Sequence, residues 1–349
     1  MFHLHEKINN NDIYFIAEMS ANHGGDLSNA LEIVRQAKEA GADCLKIQTY
    51  TADTMTLDTD SADFQISGGL WDGYNLYKLY EYASTPYEWQ EKIKEECERV
   101  GIDFLSTPFD RSSVDFLEGL GVEAYKVASY ELVDIPLIKY IASKQKPMII
   151  SVGMGSVQEI GECVDACRSV GNEQLVLLKC CSEYPAPWKD MKLGNIPDMK
   201  KRWGYPVGLS DHSFGSLGAV VGVSLGACVV EKHVKLDGVE SADSEFSMRM
   251  EDFAAMVTDC RNARMIAAGP DYGLTENEKA STVFRRSIYC ASEIKAGELF
   301  TEENIRVIRP GYGLKPKYYE QLIGKKSKRD IHFGDRITEE DLSEAEGTL

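Results

Sequence analysis

The sequence predicts an α/β fold: a (β/α)8 barrel followed by a small β-rich segment. Three observations predict it. Short apolar strands alternate with amphipathic helices eight times within about 270 residues, the size and rhythm of such a barrel. Nearly every one of these strands ends in a hydroxyl, amine, carboxylate or imidazole, and barrel enzymes build their sites at the carboxyl ends of the strands. No Gly-x-Gly-x-x-Gly follows the first strand, and an open doubly wound sheet would gather its ligand groups at one switch point. The barrel is assigned to residues 1–270, a polar linker to 271–283 and the β-rich segment to 284–349.

The first strand is Ile13-Tyr14-Phe15-Ile16-Ala17, a β-branched and aromatic run that closes at Glu18. Asn22-His23-Gly24-Gly25 then turns the chain into a helix over 27–40, with Leu31, Val34 and Ala37 on one face and Gly41 as its stop. The second strand, 44–49, places Lys46 and Gln48 on one face by its two-residue period. A long insertion runs from Asp53 to about Pro86 and contains Gly68-Gly69-Leu70-Trp71-Asp72-Gly73-Tyr74. Connections of that length are functional or disordered, and the aromatic residues argue against disorder; Trp71 and Tyr74 suit either a wall for a sugar or packing within the loop.

Strand three is 102–107, stopped by Pro108, and strand four is 124–129. Strand five, 148–151, precedes Gly153, and strand six, 175–180, leads into Ser182-Glu183-Tyr184-Pro185. Helical stretches over 114–120, 137–143 and 157–170 fill the gaps. Strands seven and eight are Val207–His212 and Val229–His233, joined by a small-residue helix over 215–226. Consecutive strands of one such unit are parallel neighbours. After Gly269-Pro270 the rhythm changes to short strands and turns, in a segment too small to rely on its own core.

With 56 acidic against 38 basic residues the net charge is −18, which excludes nucleic acid and anionic membranes as expected partners. No apolar run is long enough to span a bilayer, and the chain opens with no basic-then-apolar leader. The nine cysteines lack zinc-finger spacing, so reduced thiols and a cytoplasmic location are expected.

His212 and His233 end neighbouring strands, each beside a carboxylate. Strands lie about 4.8 Å apart, so the two imidazoles converge on one divalent ion and leave positions for water and substrate oxygen. Asp211 and Glu231 are candidates for orienting those ligands, or simply for salt bridges. Lys46 and Lys126 alternate with apolar residues inside core strands, and a buried lysine is costly without an anion. Phosphate or carboxylate binding, a Schiff base and a structural ion pair all satisfy that condition. Gln48, Thr107, Ser129, Ser151, Ser182 and Ser210 mean little singly, but beside two lysines they describe an oxyanion cradle. Glu18 faces the same mouth as an acid/base candidate or a counter-ion to Lys46.

These residues, read together, resemble the sialic acid synthase family. The resemblance rests on Ala17-Glu18-x-x-x-Asn22-His23-x-Gly25, Lys46-Ile47-Gln48, Ser106-Thr107-Pro108-Phe109, Tyr125-Lys126-x-Ala128-Ser129, Gly208-Leu209-Ser210-Asp211-His212 and Glu231-Lys232-His233. It covers nearly the whole chain, and the last segment resembles the antifreeze-like (SAF) domain that follows the TIM barrel in such synthases. Within the family, the run 19–26 and the Gly-Gly-Leu-Trp-Asp-Gly-Tyr insertion are most similar to pseudaminic acid synthases.

The resemblance implies condensation of phosphoenolpyruvate with an open-chain amino-hexose derivative, with a Mn²⁺- or Mg²⁺-type ion on His212 and His233. Glu18 matches the catalytic glutamate. Lys46, Thr107, Lys126, Ser129, Ser151, Ser182 and Ser210 match phosphoenolpyruvate-binding positions, and Gln48, Tyr184 and Asp243 match sugar-side ones. Arg309 matches an arginine lent by a partner's SAF domain, which implies a domain-swapped homodimer. The rival readings are an N-acetylneuraminate or legionaminic acid synthase, a Schiff-base aldolase built on Lys46 or Lys126, and a non-catalytic sugar- or ice-binding protein.

Overall fold

The computed structural model describes residues 2–68 and 70–342; Gly69 of the insertion and residues 343–349 of the SAF segment lie outside the described residues. Eight parallel strands line the first unit: β1 Tyr14–Glu18, β2 Cys44–Thr49, β3 Asp103–Pro108 and β4 Tyr125–Val127, then β5 Met148–Ser151, β6 Leu175–Cys180, β7 Val207–Asp211 and β8 Val229–Lys235. Neighbours run β3, β2, β1, β8, β7, β6, β5, β4, so the first strand pairs the last. β3 and β4 lie side by side without a shared ladder, which leaves a nearly closed (β/α)8 TIM barrel. A two-residue ninth strand, β9 Met248–Arg249, extends β8 in parallel.

Period two explains what faces where. Ile16, Cys44, Leu105, Ile149, Val176 and Val229 form one buried apolar cluster inside the barrel. Their alternates, such as Phe15, Leu45, Ile150, Leu177 and Val230, belong to the larger core between strands and helices. Moving two residues on from the inward set, toward the carboxyl ends, reaches Glu18, Lys46, Thr107, Ser151 and Glu231. The same face is thus oily below and polar above.

A helix that periodicity did not reveal, Leu4–Asn9, closes the lower end: Leu4 is fully buried in the interior cluster with Tyr14, and Phe2 and Ile8 pack against it. The outer helices begin and end as side-chain chemistry dictates. Asp26 accepts from the Ser28 N–H to cap Leu27–Glu39, and Asp110 caps Arg111–Leu120, which ends at Gly121 with φ of +73°. Two expectations shift. Ser129 has left the strand and opens a 3-10 turn, Ser129–Val133. The polar stretch after Asp271 contains a short helix, Glu276–Ser281, capped reciprocally by Thr275 and Glu278.

The chain divides after Ala268 into a second unit. There β10 Ser287–Cys290 pairs antiparallel with β11 Ile305–Ile308, over a small core that includes Ile288, Phe300, Leu322 and Ile331. All nine cysteines are unpaired.

Candidate active site

Strand register builds the floor of the site. β1 sets Glu18 opposite Lys46 of β2 and opposite His233 of β8. In-register neighbours on parallel strands share a face, so an amine, a carboxylate and an imidazole stand in one row. β7 adds Ser210 opposite Glu231, and β2 adds Gln48 opposite Thr107.

The side chains interlock. Lys46 Nζ lies 2.6 Å from Glu18 Oε2, 3.8 Å from Glu231 Oε2 and 3.4 Å from Thr107 Oγ1. Lys126 Nζ lies 3.5 Å from Glu231 Oε1, which also accepts from Ser210 Oγ at 2.9 Å. Gln48 Nε2 donates to Glu18 Oε1 at 3.1 Å and to Ser20 Oγ at 3.0 Å, and Ser20 in turn donates to Asp243. Glu18 is 0%, Lys126 2% and Lys46 4% exposed, so these charges have little but one another to replace water.

Their ionisation follows from that enclosure. Burial pushes the Glu18 carboxyl above its ordinary value, and the Glu231 carboxylate adds to the push against the pull of Lys46. Burial also opposes ionisation of Glu231, but Lys126 and Lys46 outweigh it and hold that carboxyl below its usual range. Burial lowers Lys126 despite Glu231. For Lys46, Glu18 and Glu231 overcome burial and raise it. The two carboxylates are therefore pushed apart, as acid and base roles require.

Around this floor the hydroxyls form a crescent. Ser129 Oγ accepts from the Gly153 N–H at 3.1 Å. A methyl group on Gly153 would run into the hydroxyls of both Ser129 and Ser182. Ser151 Oγ is buried without a hydrogen-bond partner, a vacant donor and acceptor aimed inward.

The imidazoles of His212 and His233 have ring centroids 5.4 Å apart with planes at 67°. His212 Nδ1 donates to the Cys181 carbonyl at 2.9 Å, which turns Nε2 toward Ser210 at 3.4 Å. That is how metal-bound histidines are usually oriented. His233 Nδ1 is buried and has no partner. Burial, with His212 and both lysines, holds His233 far below its ordinary pKa, so it is neutral. Burial opposes the charge on His212, but a Cys180 thiolate and the Cys181 carbonyl outweigh it and raise the imidazole above its ordinary value. A metal ion at that ring takes the place of a proton. The donor set fits a divalent ion that draws its remaining ligands from water and substrate. Among the described residues no group of three or more His, Cys, Asp and Glu side chains is arranged to hold a metal alone.

Aromatic rings close one side of the mouth. Tyr184 stacks on His212 with centroids 4.2 Å apart, and Phe246 lies 5.0 Å from both Tyr184 and His233. Trp71, from the insertion, lies 5.9 Å from Tyr184 and donates its indole N–H to the Ala242 carbonyl at 3.1 Å. Tyr74 is half exposed and stands apart from that cluster.

Comparison with known proteins decides the family. A model of the NeuB family matches residues 33–271, and one of the SAF domain matches 285–343. The chain belongs to the NeuB family. It is 45% identical to a pseudaminic acid synthase of Campylobacter jejuni over 95% of this chain and 96% of that one. It is 34% identical to an N,N'-diacetyllegionaminic acid synthase of Legionella pneumophila over 92% of each chain. Among solved structures, the N-acetylneuraminic acid synthetase of Leptospira borgpetersenii matches with a TM-score of 0.69 at 28% identity, over 78% of this chain and 90% of that one. The resemblance read from the motifs is borne out, as is a barrel followed by a SAF domain.

In this NeuB-family chain, Glu18, Lys46, Gln48, Thr107, Lys126, Ser210, His212, His233 and Asp243 join one network of contacts, with Tyr184 stacked upon it. Ser151 ends β5, while Ser129 and Ser182 lie two residues beyond the ends of β4 and β6, where both hydroxyls crowd Gly153. Arg309 is exposed and belongs to the second unit. Of the two roles open to Asp211, the structure shows the salt bridge: it points outward to the helix layer, where it pairs with Lys232 at 2.9 Å and accepts from Ser213. Period two forces this, since Ser210 and His212 face inward.

Sequence reasoning passed over Glu131, in the turn after β4. Burial pushes its carboxyl up to about 7, against the pull of Lys126, and one of its oxygens is buried without a partner. Among the described residues no helix is long and apolar enough to cross a membrane.

Proposed function

We propose that this chain is a pseudaminic acid synthase. It condenses phosphoenolpyruvate with 2,4-diacetamido-2,4,6-trideoxy-L-altrose and water, giving pseudaminic acid and phosphate. The higher identity to the Campylobacter synthase than to the Legionella one supports the choice of sugar. The observation that carries the reaction is the pair of enclosed lysines, Lys46 and Lys126, set against Glu18 and Glu231 beside two imidazoles.

Burial opposes the charge on Glu18, and the enclosed ammonium groups of Lys46 and Lys126 give the positive potential that receives an anionic enol. Lys46 and Lys126, with Thr107, Ser129, Ser151, Ser182 and Ser210, hold its phosphate and carboxylate. Gln48, Tyr184 and Asp243 place the open-chain sugar. His212 and His233 would hold a Mn²⁺- or Mg²⁺-type ion, whose chemistry when bound is Lewis-acid polarisation of the aldehyde oxygen.

The enol carbon forms the new C–C bond at the aldehyde carbon, and the former aldehyde oxygen takes a proton, with Glu18 doing the acid/base work. Positive charge at the phosphate-bearing carbon is met by water. The resulting tetrahedral centre loses phosphate by C–O cleavage. A second copy, in a swapped homodimer, lends Arg309.

The test is phosphate release from phosphoenolpyruvate with each candidate hexose. Turnover with the altrose-configured sugar is expected. Comparable rates with N-acetylmannosamine would overturn the sugar assignment, and undiminished turnover in a His212→Ala/His233→Ala variant would overturn the metal role. A second reading is favoured by one fact: burial lowers Lys126, as a Schiff-base nucleophile requires. Borohydride reduction in the presence of pyruvate is expected to leave the mass of the protein unchanged; a trapped adduct would support the aldolase instead.

A further inference from the structure

The aromatic wall at the barrel mouth has two layers. Tyr184 and Phe246 form the inner one, in ring contact with His212 and His233. Trp71 forms the outer one, 5.9 Å from Tyr184 and 6.5 Å from Phe246. Its ring is fixed rather than free, because the indole N–H is committed to the carbonyl of Ala242, the residue before Asp243. With that donor spent, the indole offers the sugar only its carbon face and edge.

The proposed condensation requires the aldehyde carbon to lie beside the imidazoles, with the acetamido-bearing C2 next to it. In that placement the inner rings meet substituents that every candidate sugar shares. A ring one layer further out meets C4 to C6. There the candidates differ: the diacetamido-trideoxy sugars carry an acetamido methyl and a terminal methyl, whereas N-acetylmannosamine carries hydroxyls. An indole surface without a free donor gains by covering methyl groups and leaves hydroxyls unpaired.

We infer that Trp71 is a specificity-determining residue that selects hexoses carrying a 4-acetamido group and a 6-deoxy methyl over hexoses that carry hydroxyls there. The inference rests on the proposed condensation and adds the origin of its substrate class.

Steady-state phosphate release tests this in the full-length enzyme with Trp71→Ala and Trp71→Phe, each checked by thermal melting. The probes are the diacetamido-trideoxy altrose, its manno isomer and N-acetylmannosamine. In Trp71→Ala, kcat/KM for the altro sugar falls about tenfold or more, the size expected for losing apolar contacts to one or two methyl groups. The loss falls on the sugar KM, the KM for phosphoenolpyruvate is unchanged, and any turnover of N-acetylmannosamine does not decline. Trp71→Phe recovers most of the loss, since it restores an aromatic surface without the Ala242 bond. An unchanged sugar KM in Trp71→Ala, or an equal loss for N-acetylmannosamine and phosphoenolpyruvate, would overturn the inference. Failure of the unaltered enzyme to turn over either diacetamido sugar would strike the proposed reaction itself and take this inference with it.

Discussion

Glu131 is held at the edge of ionisation. Its carboxyl ionises near 4.5 when solvated and at about 7 in the fold, chiefly because burial disfavours the charge. Between those values the unfolded chain has released a proton that the folded chain still holds. Raising the pH through that window therefore lowers stability. In Glu131→Gln the urea midpoint should decline less between pH 4.5 and 7 than in the unaltered protein, and parallel curves would show that the carboxyl is not held neutral. At this scale legibility depended on period two. Lys46, Gln48 and Glu18 were found because alternation within β1 and β2 puts them on one face. Asp211 stayed open between two roles because the same alternation was not applied to β7. Glu131 lay beyond the strand, in a 3-10 turn to which alternation does not apply.

At the scale of elements, all eight strands were legible, and three of them, β2, β5 and β6, matched to the residue. Continuous apolar runs bounded by glycine, proline and polar residues leave little room for error. The six-residue helix Leu4–Asn9 was not legible, since so short a stretch shows barely one period, and its value comes from what it covers. Leu4→Ala should cost about 2–5 kcal/mol by opening a cavity in the lower barrel. Phosphate release well below the melt should be unchanged, because that cavity lies at the opposite end of the strands from the lysines. Denaturant titration beside the activity assay checks both. The insertion could be recognised as ordered from its aromatic residues, but only tertiary contact separated Trp71, which joins the mouth, from Tyr74, which does not.

Across the whole molecule, the −18 charge makes local positive potential expensive, and the barrel answers with lysines enclosed away from the bulk field. The change of rhythm after Gly269-Pro270 made the second unit legible as separate, while Arg309 was tied to catalysis by resemblance alone. If a second copy supplies Arg309, then Glu18→Gln and Arg309→Ala subunits, each inactive alone, should regain up to about half of full activity when co-expressed, because one of the two mixed sites is then intact. No recovery in purified mixed dimers would return the arginine to its own chain or remove it from the reaction.

Gly153 carries a constraint on inheritance. Its missing side chain leaves the space that the Ser129 and Ser182 hydroxyls occupy. A descendant that acquires alanine there must surrender one of the two serines or spread the crescent they form. The three positions are therefore expected to change in concert, and a library that randomises either serine while holding the glycine explores only chains that already have room for both.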